Sequence, residues 1–205
     1  MALSKIQSES MNLADTYAFT GTVTGTPSGA LTKIQSYTIP SSTSEFNLNG
    51  IFTSTYDHYL ILAQNIGLTG SGGYINIRLN RASNNSHITA DYVQTAIGYE
   101  GGASGVQRSG GAWRVNNQAT MYPNTSGEQG TMIAMHIFSP FLSMPTKFSN
   151  IGHLRNSQNS AWLTVANAVH NTSNDSVGGL NWGTDNGQNF TTSETSAITI
   201  YGYEN

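Results

Sequence analysis

Carboxylates and histidines are the side chains of this sequence best suited to catalysis or metal binding, and both are dispersed. The chain has 205 residues, with eleven Asp and Glu residues and five His. A glycosidase requires two carboxyl groups about 5–10 Å apart, and no spacing among the acidic residues predicts such a pair. No two histidines have the spacing that directs two imidazoles at one metal ion: they are His58, His87, His136, His153 and His170. We therefore predict no catalytic residues, no metal site and no cofactor.

Oxygen donors cluster late in the chain, where Asp175 and Asp185 lie near Asn174, Asn181 and Asn186. Carboxylate and amide oxygens of this kind could hold calcium. The spacing of an EF-hand is missing, however, and clusters of Asn, Asp and Gly are also ordinary turn chemistry. The turn is the interpretation we prefer.

Aromatic side chains beside polar segments are the features that most favour binding. Trp113, Arg114 and Asn116 follow a glycine-rich stretch, Tyr122 comes shortly after, and Trp182 opens a late turn-rich region. Flat aromatic rings stack on sugar rings, while Arg and Asn bind hydroxyl groups. We predict a glycan- or receptor-binding surface made of these five residues. The competing interpretation is that the two tryptophans fill the ends of a hydrophobic core.

The composition excludes several classes of function. Charged residues make up 9% of the chain, and the formal net charge is -3, against about 25% charged residues in a typical globular protein. Eight scattered Lys and Arg residues cannot neutralise many phosphates, so we expect no nucleic-acid partner. There is no cysteine, which excludes thiol chemistry. The longest mainly apolar run, 132–138, is far too short for a membrane span, and 1–13 has no apolar signal-peptide core.

Short runs of alternating apolar and polar residues predict nine or ten β-strands from Leu31 onward and no helix longer than two turns. The clearest runs are 33–39, 45–48, 56–66, 74–79, 88–97, 131–138, 147–154, 161–169 and 197–203. Residues 98–111 are rich in glycine and predict an exposed loop. The region 181–189 predicts turns and a hairpin. The predicted fold is all-β, an antiparallel β-sandwich that is jelly-roll-like.

The alternation within these runs also predicts the core. We expect the following side chains to be mostly buried: Leu60, Leu62, Ile75, Ile77, Leu79, Ile133, Ile137, Leu163, Val165, Ile198 and Ile200.

Residues 1–30 differ from the remainder because their apolar residues are sparse. We predict an extended N-terminal anchoring and assembly segment at 1–30, followed by one β-sandwich domain at 31–205. The segment cannot bury its apolar side chains alone, which favours a homo-oligomer, most simply a trimer, that involves 1–30.

Several patterns give the chain a resemblance to structural proteins of tailed bacteriophages, of the tail-fibre type common in marine phages. One set lies at the N-terminus, in 6–15 and 19–25. The others are Phe46-x-Leu48-x-x-Ile51-Phe52, Tyr56-x-x-Tyr59-Leu60-Ile61-Leu62-x-x-Asn65-Ile66, Ile75-x-Ile77-Arg78-Leu79 and the C-terminal Ile198-Thr199-Ile200-Tyr201-Gly202.

This resemblance implies a location in the virion, after assembly in the host cytoplasm. The expected function is a non-enzymatic surface appendage, a short tail fibre or fibre-head module that attaches to the host surface. Its partners would be further copies of itself, other virion proteins through 1–30, and a host surface glycan. The alternatives are a capsid decoration protein that stabilises the shell and a glycan-degrading hydrolase of the tailspike type. The resemblance carries no catalytic residues onto this chain.

Overall fold

The computed structural model describes residues 31–69, 75–89, 92–102, 105–110, 114–116, 119–121, 131–155, 161–170, 176–184 and 187–203. Every regular element in these ranges is a β-strand, which confirms the all-β prediction. The thirteen strands of the described ranges are β1 (Leu31–Thr38), β2 (Glu45–Leu48), β3 (His58–Leu68), β4 (Ile75–Arg81), β5 (Tyr92–Gly102), β6 (Gly105–Gly110), β7 (Arg114–Asn116), β8 (Ala119–Met121), β9 (Thr131–Phe138), β10 (Thr146–Arg155), β11 (Ala161–His170), β12 (Val177–Thr184) and β13 (Phe190–Tyr203).

The strands form two antiparallel sheets that pack against each other. The large sheet has the order β1-β13-β3-β9-β10-β11-β5-β6, and β7 pairs with β5 beside β6. The small sheet has the order β2-β12-β4-β8. An antiparallel β-sandwich is therefore confirmed, whereas this strand order does not confirm the jelly-roll likeness.

Strand β3 shows how the large sheet divides its two faces. Tyr59, Ile61 and Ala63 point toward the small sheet and are buried. The alternate residues point away: Leu60 is half-buried, and Leu62 is 39% exposed. The prediction that Leu62 is a core residue was wrong, and Leu60 is covered only in part, because the strand is apolar on both faces and its neighbours decide which face is covered.

Most of the other predicted core residues are confirmed. The buried ones are Ile75, Ile77, Leu79, Ile133, Ile137, Ile198 and Ile200. Val165 is only half-buried, since it lies on the same outward face as Leu62. The side chain of Leu163 lies outside the described part of the structure.

Two aromatic contacts join the sheets. The hydroxyl of Tyr92 on β5 donates to the carbonyl of Ile88 at 3.0 Å and accepts from the amide of Leu79 on β4 at 2.8 Å. Burial raises the pKa of Tyr92 well above its ordinary value. Phe190 of β13 packs edge-on against Phe46 of β2, with ring centroids 5.0 Å apart. Each contact therefore joins a strand of the large sheet to one of the small sheet.

Two loop predictions were wrong. Residues 98–102 and 105–110 belong to β5 and β6, which pair antiparallel with Gly98 opposite Ser109. Residues 181–184 continue strand β12. In both segments, pairing with a neighbouring strand supplies the backbone hydrogen bonds that the local sequence, rich in Gly and Asn, does not predict. The predicted segment 1–30 lies outside the described residues.

Candidate functional site

The outward face of the small sheet holds a cluster of polar side chains, which we call the amide patch. Its members are Glu45, Asn47, Asn49, Arg78, Asn80, His87 and Asn181. Strand register places them together, because Asn181 on the central strand β12 lies opposite Asn47 on β2 and Arg78 on β4. The alternate residues of these strands, among them Leu48, Leu180 and Leu79, face the core. The patch is therefore the polar half of a period-two pattern.

Hydrogen bonds fix the orientation of the asparagine amides. The Oδ1 atom of Asn47 accepts from Nδ2 of Asn80 at 3.2 Å and from Nδ2 of Asn181 at 3.1 Å. It also lies 3.1 Å from Nε2 of His87. Nδ2 of Asn80 donates a second bond to Oδ1 of Asn49 at 2.8 Å. Asn80 and Asn181 are fully buried, so the network holds the exposed Asn47 and Asn49 in defined positions.

Charged groups form one border of the patch. Oε2 of Glu45 lies 3.9 Å from the Arg78 guanidinium, and Oε1 lies 3.5 Å from Nε2 of His87. Arg78 also donates to Oδ1 of Asn181 at 3.4 Å. The Glu45 side chain is 43% exposed. The patch thus offers solvent both a carboxylate acceptor and amide groups at fixed distances from one another.

The glycines of β12 leave this face without tall side chains beside Asn181. Gly179 lies opposite Asn80, and Gly183 lies opposite Glu45. A Cβ atom at Gly183 would meet no heavy atom closer than 3.8 Å, whereas one at Gly179 would overlap the backbone of β2. Backbone of β2 thus covers β12 at Gly179, whereas the face at Gly183 has room for a methyl group.

Of the five predicted binding residues, the structure describes the side chain of Trp182 alone, so the association of the five stays a prediction. Trp182 lies in β12, is fully buried, and stacks on Phe46 at 6.2 Å with an interplanar angle of 9°. Its ring is inaccessible to a sugar, so the binding role of Trp182 was wrong and the core interpretation holds for this residue. Arg114 and Asn116 lie in β7 opposite Gln94 and Tyr92. The side chains of both, and the whole of Trp113 and Tyr122, lie outside the described residues.

Sequence reasoning missed the amide patch because its members lie on strands that are separated along the chain and adjacent only in the sheet. The one available signal was the alternation in β4, where Asn76, Arg78 and Asn80 share a face. Asp175, Asp185 and Asn186, which we considered for calcium, lie outside the described residues. Within the described ranges, no group of three or more Asp, Glu and His side chains is arranged to hold a metal ion.

A histidine pair lies on the outward face of the large sheet. Nε2 of His58 on β3 is 2.9 Å from Nδ1 of His136 on β9. The His58 ring is stacked against Tyr203 at 4.0 Å and against Phe138 at 4.3 Å. The linear spacing of histidines could not reveal this pair, because the two residues come from neighbouring strands far apart in sequence.

The 2.9 Å contact requires one ring nitrogen to donate and the other to accept, so the two rings cannot both be cationic without repulsion. Partial burial lowers the pKa of His58 below its ordinary value, and the charge of His136 lowers that pKa further. As the pH falls, His58 therefore takes up a proton in the unfolded chain, where its pKa is near 6.5, before it does so in the folded chain. The stability that depends on neutral His58 is present above about pH 6.5 and is lost as the pH falls through the lower pKa of the folded state.

We expect the melting temperature to decrease as the pH is lowered from neutral through this window, and the decrease to be smaller in His58→Phe. Phenylalanine keeps a ring between Tyr203 and Phe138 but does not titrate. The measurement is circular dichroism melting from pH 7.5 to 5 in steps of about half a unit. Equal slopes in the wild type and His58→Phe would contradict the assignment.

The fold and these two surfaces define the class of protein, an antiparallel β-sandwich whose sheets each carry a distinct outward face. No family model, curated protein or solved structure shows significant similarity to the chain. Among the described residues there is no helix with the length and apolar character to cross a bilayer.

Proposed function

We propose that this protein is a non-enzymatic surface appendage of a tailed-phage virion, and that the amide patch contacts a glycan of the host surface. The sequence resemblance supports the virion role. The observation that carries the attachment role is the hydrogen-bonded network of Asn47, Asn80 and Asn181 beside the exposed Glu45 carboxylate.

Sugar hydroxyls both donate and accept hydrogen bonds, so they match a surface that presents both functions at fixed positions. The Asn47 and Asn49 amides are held by buried partners, and binding therefore requires little further ordering of these side chains. Glu45 adds an ionised acceptor, and hydrogen bonds to charged groups are stronger than those between neutral groups. Recognition through uncharged polar groups also agrees with the composition of the chain, in which only 9% of residues are charged.

Immunogold labelling of virions of the phage that encodes this chain tests the location. We expect gold particles at the tail. Labelling over the capsid would instead support the alternative of a decoration protein, and absence of the chain from purified virions by mass spectrometry would contradict both.

Replacement of Asn47 by alanine tests the attachment surface. The purified protein should compete with the phage for adsorption to host cells, and Asn47→Ala should weaken this competition by about tenfold, which corresponds to the loss of about 1.4 kcal/mol of binding free energy. Glu45→Gln, which keeps the shape and removes the charge, should weaken competition by a smaller factor.

Asn167→Ala is the matched control, since Asn167 is also an exposed strand asparagine but lies on the large sheet. It should compete as the wild type does. Thermal melts of each variant separate loss of binding from loss of structure. Full competition by folded Asn47→Ala and Glu45→Gln proteins would overturn the role of the amide patch.

A further inference from the structure

The outward face of the large sheet exposes large apolar side chains on adjacent strands. The exposed fractions are 39% for Leu62, 57% for Met132, 38% for Phe138 and 45% for Ile151. These residues come from β3, β9 and β10, which are neighbours in the sheet. Monomeric soluble proteins rarely expose large contiguous apolar patches, and such a patch on a protein surface marks an interaction site.

Strand register makes the apolar surface continuous. Leu62 lies opposite Ala134, Ala134 opposite Ile151, and Ile151 opposite Val165. These four residues form a strip that crosses four strands, which we call the apolar strip. Leu60, Met132 and Phe138 lie on the same face beside it.

The charges on this face also favour contact with protein. Among the described outward side chains of β13, β3, β9, β10 and β11, none is a carboxylate, and Lys147 is the one Lys or Arg. The remaining polar groups are hydroxyl, amide and imidazole groups. A charged ligand therefore finds little complementary charge on this face. An apolar partner surface that covers the face leaves few charges buried and unpaired.

The face is large enough to supply more than half of the surface that each partner buries in a standard interface. Five adjacent strands and four outward positions on each give a face of about 24 Å by 20 Å, or about 480 Å² when flat. Protruding side chains add to this area, and each partner buries about 800 Å² in an interface of standard size.

We propose that a second copy of this chain packs on this face, with the two large sheets face to face. The twofold axis lies between the two sheets and runs along the apolar strip. An identical copy presents the same strip, so twofold symmetry places Leu62 and Ile151 of each chain against apolar surface of the other. Aligned sheets pack in this way about 10 Å apart.

Twofold symmetry also keeps the lysines apart. Lys147 precedes Ile151 by four residues in β10, which is about 13 Å along an extended strand. An axis along the strip therefore separates the two Lys147 side chains by about 26 Å, well beyond the screening length of about 8 Å at physiological salt. The pairing therefore does not bring the two Lys147 side chains together. It does not depend on the role proposed above, and it differs from the trimer that the sequence predicts.

Light scattering coupled to size-exclusion chromatography of the full chain tests the proposal. The wild type should have the mass of two chains. Leu62→Glu and Ile151→Glu should each raise the dissociation constant at least 100-fold and give monomers at the same concentration, because each places two carboxylates in a dry contact. Circular dichroism should show that both variants remain folded, since the two replaced side chains are solvent-exposed in the single chain.

Leu142→Glu is the matched control. Leu142 has the same 39% exposure as Leu62 but lies in the turn between β9 and β10, and its replacement should leave the dimer intact. Should either sheet variant fail to fold, cross-linking provides the second measurement: the chain has no cysteine, so Ile151→Cys should be joined to its copy by a bismaleimide and Leu142→Cys should not. A monomeric wild type, or an oligomer that both sheet variants leave intact, would overturn the proposal.

Discussion

Trp182→Ala is expected to remove a large part of the stability of the protein. The indole is fully buried between the sheets and stacks on Phe46. Truncation of a buried Phe or Trp to Ala reduces the free energy of unfolding by about 3–5 kcal/mol, and a typical domain has about 5–15 kcal/mol in total. Urea denaturation followed by circular dichroism measures the loss.

Trp182→Phe provides the control for this experiment. Phenylalanine keeps a ring against Phe46, and it removes the indole Nε1, which is buried and has no hydrogen-bond partner among the described residues. Removing a buried, unpaired donor offsets part of the lost packing. We therefore expect a much smaller destabilisation than with alanine. A stable Trp182→Ala protein that has lost only adsorption would restore the binding role that the sequence predicted for Trp182.

Gly179→Ala is expected to have the second-largest effect. A Cβ atom at Gly179 would lie 2.2 Å from the carbonyl oxygen of Leu48 and 2.9 Å from the Cα of Asn49. Both atoms belong to the backbone of β2 or the turn after it, so the overlap cannot be relieved by rotating a side chain. Overpacking of this kind destabilises by about 1–3 kcal/mol and occasionally by more, and backbone overlap predicts the upper end of that range.

Gly183→Ala is the matched control, because Gly183 lies on the same face of the same strand. The nearest heavy atom to its Cβ would be 3.8 Å away, an ordinary van der Waals distance. We expect a change of at most about 0.5 kcal/mol in the free energy of unfolding. Equal stability of the two alanine variants, measured by urea denaturation, would show that β2 does not approach β12 as closely as described.

The fold was predictable to the extent that apolar residues alternate. For strands with one apolar face, the face predicted to be buried is the buried one, as in β4 with Ile75, Ile77 and Leu79. Strand β3 was not, because Tyr59-Leu60-Ile61-Leu62 is apolar on both faces and only its neighbours decide which is covered. The glycine-rich end of β5, 98–102, and β6 were missed for a related reason, since pairing rather than local propensity makes them strands.

The candidate site was much less predictable. Asn47, Arg78 and Asn181 come from three strands that are distant in sequence and adjacent only in the sheet. Each Asn taken alone has the propensity of a turn residue. The His58–His136 pair is hidden in the same way, because cross-strand neighbours have no fixed spacing along a chain.

The position of the last strands has a consequence for the synthesis of the protein. Among the strands of the described ranges, β1 pairs with β13 alone, and β2 pairs with β12 alone. These two early strands can therefore take their places in the described sheets only after 177–203 have been translated. Folding is expected to be slow, as for other chains dominated by distant contacts. Until then one edge of β3, which is apolar on both faces, has no partner strand, so the yield of folded protein should depend on chaperones.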